Sequence, residues 1–413
     1  MNLTMFGLFQ NQVDLRVYRQ GAFLLRHGWP LYDGTVIYKL EYTYTPFSAI
    51  MFQPFDLMPY DLAVAVWSFL IFALLYWIIT AGFKSLGYVM DWRIRLVSLC
   101  LVAAAALLEP VRTTIWFGQV NVFLMAILLW DLLRPDGSRL KGFSIGVTAG
   151  IKLTPAFFLL YLAVTKRWRA LSVAIATFVA TVALGFACTP TQSWKYWTSA
   201  IFDPARVGDL NAVSNQSING IIAVGFHTDR PSPVLWAAVA VAAVALGMIA
   251  ARAAHRHGQE LLALSLTGMT MTTVSPFSWG HHWVWFVPLL VCAVHLVLQS
   301  LRQRRRLQFA AWAIAASALY ATAFTWRNLI PEGAFGWRPF YGTGLFMFPV
   351  PHWAKWYTAM PYLWVFAIAV ALTIAAWGPA RSTAARSLPS GITSDRGRIR
   401  RHSAADLAES GTG

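Results

Sequence analysis

The feature that most constrains this chain is a series of apolar runs, each near the length of a membrane-crossing helix and separated by short basic clusters. A hydrocarbon core about 30 Å thick is crossed by roughly 20 residues of helix. Only helices and closed barrels satisfy every backbone group there. The runs over 62–83, 96–108, 121–133, 171–188, 233–251, 261–276, 284–301, 309–325 and 357–377 therefore predict an all-α polytopic membrane protein with about nine spans. Composition excludes the alternative of one soluble core. Hydrophobic residues make up 57% of the chain and charged residues 12%, against about 25% charged in soluble domains. The net charge of +16 would suggest a nucleic-acid partner in a soluble protein, but in a membrane protein the placement of charge decides its meaning, and no nucleic acid is expected. Cys100, Cys188 and Cys292 show neither disulfide nor metal-ligand spacing.

Placement is informative. Basic clusters lie at 84–95, 134–141, 166–169, 252–256 and 302–306, which the positive-inside rule puts on the cytoplasmic side. The stretch 142–165 breaks the alternation, because basic residues flank it at both ends. A re-entrant pair of half-helices turning at Lys152-Leu153-Thr154-Pro155 restores parity, whereas an ordinary span would require a misjudged loop. A lysine at mid-membrane costs about 2.5–3.5 kcal/mol on insertion scales, and 146–162 offers it no carboxylate, so Lys152 is expected to face a site. Residues 1–61, the loops 112–118, 189–230 and 326–356, and the link 278–281 then fall outside. Residues 378–413, rich in Ser, Ala, Gly and Arg, read as a disordered cytoplasmic tail. Asp14 follows a stretch too short to cross a bilayer, which suggests a further span upstream. No internal repeat of the transporter kind is visible.

The unusual residues gather on the outer side. They occur in VDLRVYRQGAFLLRHGWPLYDG (13–34), YTYTPFSAIMFQPFDLMP (42–59), WFGQVNVFLMAILLWDLL (116–133), GVTAGIKLTPAFFLLYL (146–162), SNQSING (214–220) and SPFSWGHHWVW (275–285). Together these segments resemble the actinobacterial polyprenol-phosphate-mannose-dependent α-1,2-mannosyltransferases, glycosyltransferase family 87 of the multi-span GT-C class. The resemblance extends from Asp14 to Trp285 and rests on the ensemble. One departure is Tyr44-Thr45-Pro46, where many members carry Tyr-Pro-Pro. It implies an inverting transfer of mannose from a polyprenyl-phosphate donor to a mannosylated lipid or lipoglycan, without a cofactor, on the outer face of the plasma membrane. On residue physics a lipid-linked sugar transporter or flippase is a rival, but its polar groups should line a path through both leaflets. A pentosyl transferase of the same architecture is a second.

Single-displacement inversion needs one general base for the acceptor hydroxyl. Asp14 supplies a carboxylate, although by residue type alone an exposed Asp pairing with Arg16 is the plainer reading. The resemblance assigns Asp14 the base. The leaving phosphate needs cationic or N–H donors, for which Lys152, Arg112, Gln119, Asn121, His281 and His282 are candidates. Adjacent residues on a helix diverge by about 100°, so His281 and His282 suit a metal poorly. One is expected to cap a helix while the other, with His282 preferred as the residue opening the next span, faces the site, where the resemblance implies that such a histidine helps position the donor phosphate. Arg16, Tyr18, Asn215, Gln216 and Trp279 are candidate acceptor or sugar ligands. The run 214–220 reads equally as a helix cap through Ser214 or Ser217. Trp29, Trp116, Trp194, Trp197, Trp279, Trp283 and Trp285 suggest an aromatic belt, with one or two free to stack on sugars.

Overall fold

The computed structural model describes residues 11–203, 206–332, 336–348 and 352–378, so the expected tail lies outside the described residues. The elements follow the apolar pattern. The first sixty residues hold helices α1 (Val13–Arg26), α2 (Pro46–Met51) and α3 (Gln53–Leu57), with a small antiparallel ribbon of β1 (Thr35–Ile37) and β2 (Leu40–Glu41). Then come α4 (Tyr60–Ser85), α5 (Trp92–Ala106), α6 (Glu109–Phe117), α7 (Asn121–Leu132), α8 (Phe143–Ile151), α9 (Phe158–Val164), α10 (Trp168–Cys188), α11 (Pro190–Thr198) and α12 (Ile218–Gly225). The chain continues through α13 (Pro233–Arg256), α14 (Glu260–Val274), α15 (Phe286–Arg302) and α16 (Arg306–Ala323) to a second ribbon, β3 (Trp326–Glu332) with β4 (Gly336–Thr343), and ends in α17 (His352–Thr358) and α18 (Pro361–Trp377). Among the described helices α4, α10 and α13 are each long and apolar enough to cross a membrane, and α6 with α7 forms a further apolar unit bent by 116°. The expected span 357–377 is corrected at its start: the helix breaks after Thr358 and restarts with Pro361 at its first position, where a missing N–H costs nothing.

The stretch 142–165 folds as two short helices on α10. Gly142 lies against Ala170, Gly146 against Ala174 and Thr177, and Gly150 against Thr181. Partner numbers rise together, so α8 runs parallel to α10. Glycines every fourth residue remove the side chains that would hold the backbones apart. Helix α9 then returns, ending three residues before α10 begins. Both ends of the unit therefore share one side, where Arg169 donates to the Arg139 carbonyl (3.1 Å) and Asp136 receives Lys141 (2.8 Å) and Arg167 (3.0 Å). The hairpin enters and leaves on the side of its basic residues. At 1.5 Å per residue its tip, level with Thr181, stands about 20 Å up a helix about 30 Å long.

Capping holds this hairpin in place. Helix α8 begins at Gly142, which has no side chain with which to cap it. The buried Asp131 carboxylate, from the end of α7, accepts instead from Gly142 N (2.8 Å), Ser144 N (3.1 Å) and Ser144 Oγ (2.8 Å). The return leg is fastened by Glu260, which accepts from Tyr161 (2.8 Å), Arg167 (2.5 Å) and His255 (2.7 Å). At the tip, Thr45 caps α2 by accepting from Ser48 N (3.2 Å) and donates its hydroxyl to the Gly150 carbonyl. A proline at that position has no such donor.

Candidate active site

The start of α1 and the end of α6 complete each other. Gln12 donates its backbone N–H to the Trp116 carbonyl (2.8 Å) and its side-chain amide to Ile115 O (2.7 Å), satisfying carbonyls that a helix end leaves open. Gly118 ends α6 in the left-handed conformation, φ 69°, against Gln12 and Leu15. The 116° bend that follows puts Gln119 and Asn121 at a corner, and Asp14, in the first turn of α1, faces it.

Five segments meet there: Asp14 on α1, Tyr44 before α2, Gln119 and Asn121 at the corner, Lys152 at the hairpin tip, and His281 and His282 in the 3-10 turn Gly280–Trp283. Lys152 Nζ donates to Asn121 Oδ1 (3.1 Å) and, since an ammonium has no acceptor, to His282 Nε2 (3.0 Å). It also lies 5.6 Å from the centre of the Tyr44 ring. That leaves one of its three hydrogens for a ligand. Asn121 Nδ2 donates to the His281 carbonyl (2.8 Å), so this one amide fixes both the lysine and the histidine turn. Asp14, Lys152 and His282 each keep some solvent exposure, and His282 and Asn121, the two hydrogen-bond partners of Lys152, line a recess beside them. Burial pushes the Asp14 carboxyl up to about 7, against the opposing effects of the Lys152 charge and a hydrogen bond with Gln119. The carboxylate partner that 146–162 lacks is therefore supplied to Lys152 by the fold. Asn121 and His282 line a cleft with the apolar Leu124, Met125, Leu128 and Trp285, and with the hydroxyl-bearing Thr154, Thr272, Ser275 and Ser278.

Other candidates are placed differently. Gln119 is engaged, accepting from Tyr18 OH (2.8 Å) and donating to Tyr44 OH (3.1 Å), and so orients both phenols. Tyr18 is fully buried in the core, stacked on Phe52 at 4.5 Å. Asn215 is buried, and its side chain accepts from Ser278 N (2.9 Å) and Ser217 Oγ (2.9 Å) and donates to Leu210 O (3.1 Å). Gln216 is buried and donates to Val213 O (3.0 Å) and Ala359 O (2.9 Å). Both side chains fasten the loop in this structure. Ser217 caps α12 by accepting from Gly220 N (3.0 Å), and the capping reading holds for this run. Helix α15 starts at Phe286, so His282 sits in the preceding turn rather than opening the span. The two imidazoles lie 83° apart in plane, His281 packing on Phe117 while His282 meets Lys152. Arg112 is buried on α6, a turn after Glu109, its electrostatic partner. Trp279 is partly exposed beside Gly208, whereas Trp283 and Trp285 are buried core and not belt. Arg16 points away from the recess, to Tyr60.

Sequence reasoning missed Asp131, Glu109 and Tyr44. The signal for Asp131 was an acidic residue closing an apolar run. Glu109, buried, accepts from Tyr362 OH (2.6 Å) and packs against Gly280 beneath the histidine turn.

The sequence model of Glycosyltransferase family 87 matches residues 42–276, more than half of the chain. The chain belongs to glycosyltransferase family 87. Within that match lie Tyr44, Gln119, Asn121, Lys152, Asn215 and Gln216, while Asp14, His281 and His282 lie outside it. A polyprenol-phosphate-mannose-dependent α-(1-2)-phosphatidylinositol pentamannoside mannosyltransferase of Mycobacterium tuberculosis is 35% identical over 68% of this chain and 66% of its own length. The corresponding protein of Mycolicibacterium smegmatis is 35% identical over 71% and 72%. A polyprenol-phosphate-mannose-dependent α-(1-2)-phosphatidylinositol mannoside mannosyltransferase of M. tuberculosis is 30% identical over 94% and 90%. No solved structure matches the chain.

Proposed function

We propose that this membrane protein moves mannose from polyprenyl-phosphate mannose to a phosphatidylinositol mannoside, with inversion, to form an α-1,2 linkage. The observation that carries the reading is a base and a cation brought together beside the recess: the Asp14 carboxyl, pushed up to about 7 by burial, and the Lys152 charge that acts on it. Asp14 takes the proton of the acceptor 2-hydroxyl as that oxygen bonds to the anomeric carbon. The bond from that carbon to the phosphate oxygen breaks, and polyprenyl phosphate departs with the electron pair. The phosphate gains negative charge in this step, so a preorganised lysine stabilises the transition state more than the ground state. His282, its Nε2 accepting from Lys152, and Asn121 aim that lysine. The apolar wall that α7 gives the cleft suits the prenyl chain.

This reading adopts a GT-C architecture of about nine spans with the hairpin entering from the cytoplasm, as its basic ends favour. Residues 1–61 are then an outer segment bearing the base, 62–377 the membrane module, and the recess faces outward across the plasma membrane. Membranes from cells lacking the protein, given labelled polyprenyl-phosphate mannose or a polyprenyl-phosphate pentose, test it. The expected result is loss of one α-1,2-mannosylated phospholipid product. An unchanged mannolipid profile with a lost pentosyl product would refute the donor assignment.

A further inference from the structure

Arg16 does not take part in the recess just described. It lies two residues after Asp14, about 200° round α1, so it projects from the far side of the helix. There its Nε donates to Tyr60 OH (2.8 Å) and its Nη1 to Tyr38 OH (3.4 Å), with the guanidinium 4.8 Å from the centre of the Tyr60 ring. Arg19, one turn on, shares that ring at 5.8 Å and donates to the Met58 carbonyl (2.9 Å). Among the described residues neither arginine meets a carboxylate, whereas Arg26, on the same helix, is paired with Asp56 (2.8 Å).

Two features make this a site for an anion. Both phenol oxygens accept from Arg16, so each phenol keeps its own O–H hydrogen to donate, and with the remaining guanidinium hydrogens they offer several convergent donors. A planar guanidinium fork matches the geometry of phosphate. The position selects the kind of anion. Tyr60 is the first residue of the 26-residue helix α4, and the neighbouring Met51, Leu57 and Leu62 are exposed apolar residues, as at the boundary between headgroups and acyl chains.

We infer that Arg16, with Tyr38 and Tyr60, binds the phosphodiester of the acceptor phospholipid, with Arg19 adding charge. The inference rests on the proposed transfer to a phosphatidylinositol mannoside. It adds a specificity rule: because α1 separates this site from Asp14, acceptors with several sugars between phosphate and reactive hydroxyl fit, and those with the reactive sugar next to the phosphate do not.

The test uses the full-length protein in zwitterionic nanodiscs with two acceptors, a phosphatidylinositol mannoside and an uncharged octyl α-mannoside. Arg16→Gln is expected to raise KM for the phospholipid at least fivefold more than for the octyl glycoside, with Arg16→Lys intermediate and Tyr60→Phe shifting the ratio the same way. Phosphatidylinositol without mannose should compete with the phospholipid acceptor in the unmodified protein and lose that effect in Arg16→Gln. An equal rise for both acceptors, or no rise, overturns the site. So does an effect of added anionic lipid that is the same for both acceptors, which marks a general membrane anchor. If the unmodified protein mannosylates neither acceptor, the proposed transfer fails instead. Direct titration with phosphatidylinositol, expected to weaken at least fivefold in Arg16→Gln, then decides the site alone.

Discussion

Replacing Lys152 by methionine separates two roles that the geometry gives this lysine. Burial raises the Asp14 carboxyl to about 7, and the Lys152 charge works against that rise. A positive neighbour favours the ionised carboxylate, so removing it moves the Asp14 titration upward. Transfer requires the carboxylate, so activity in the variant is lost at a higher pH than in the parent. If the limb moves by about one unit, at the low end of charge effects at this range, the ionised fraction at pH 7 falls from one half to about one tenth. That is a roughly fivefold loss, recoverable at alkaline pH. A second loss is independent of pH, because the departing phosphate loses a charge-assisted hydrogen bond of about 1.5–3 kcal/mol, or roughly 10- to 150-fold. The assay is kcat/KM for polyprenyl-phosphate mannose between pH 5 and 9, which reports the free enzyme. The expected profile is a limb near pH 7 in the parent and a displaced, lower one in Lys152→Met. The reasoning is refuted if the limb stays in place, or if the loss vanishes at high pH. The variant is expected to accumulate normally, since the change also removes a charge held at membrane depth.

Asp14→Asn should insert and accumulate yet lose about 10² to 10⁴ in rate, with no limb near pH 7; near-normal transfer would remove Asp14 from the mechanism. Asp131→Asn weakens the cap of α8 and should cost about 1 kcal/mol or more in thermal stability, while raising the donor KM more than the acceptor KM because the hairpin carrying Lys152 loosens. Gly146→Leu should prevent the close approach of α8 to Ala174 and Thr177 and abolish accumulation; a stable, active variant would show that the two helices are not packed there. Single cysteines at Ser214 and Gln303, in a background without Cys100, Cys188 and Cys292, should react with impermeant reagent in intact cells at the first position only, and the opposite pattern inverts the orientation.

The sequence by itself determined the class of the fold and the oddity within it. Apolar run length and the placement of Lys and Arg are local properties, and they marked the helices and the break at Lys152, because a bilayer tests each segment almost independently. Asp14 was singled out by the family resemblance, since its residue type alone reads as an exposed Asp pairing with Arg16. Which groups hold Lys152 was not legible, since its partners Asn121, His282 and Asp14 lie 31, 130 and 138 positions away, and no local pattern encodes a pairing of that range. The amides of 214–220 stayed open between two readings for the same reason. Asn and Gln serve hydroxyls of a sugar and carbonyls of a loop equally well, and only tertiary packing, by closing Ser278, Pro276 and Ala359 around Asn215 and Gln216, assigned them to the loop. Tyr18 and Arg16 were alike as sequence, two polar residues near Asp14. The fold sent one into the core and the other to Tyr60 at the start of α4, because where each lies around α1 acquires meaning only when the later helices pack against it.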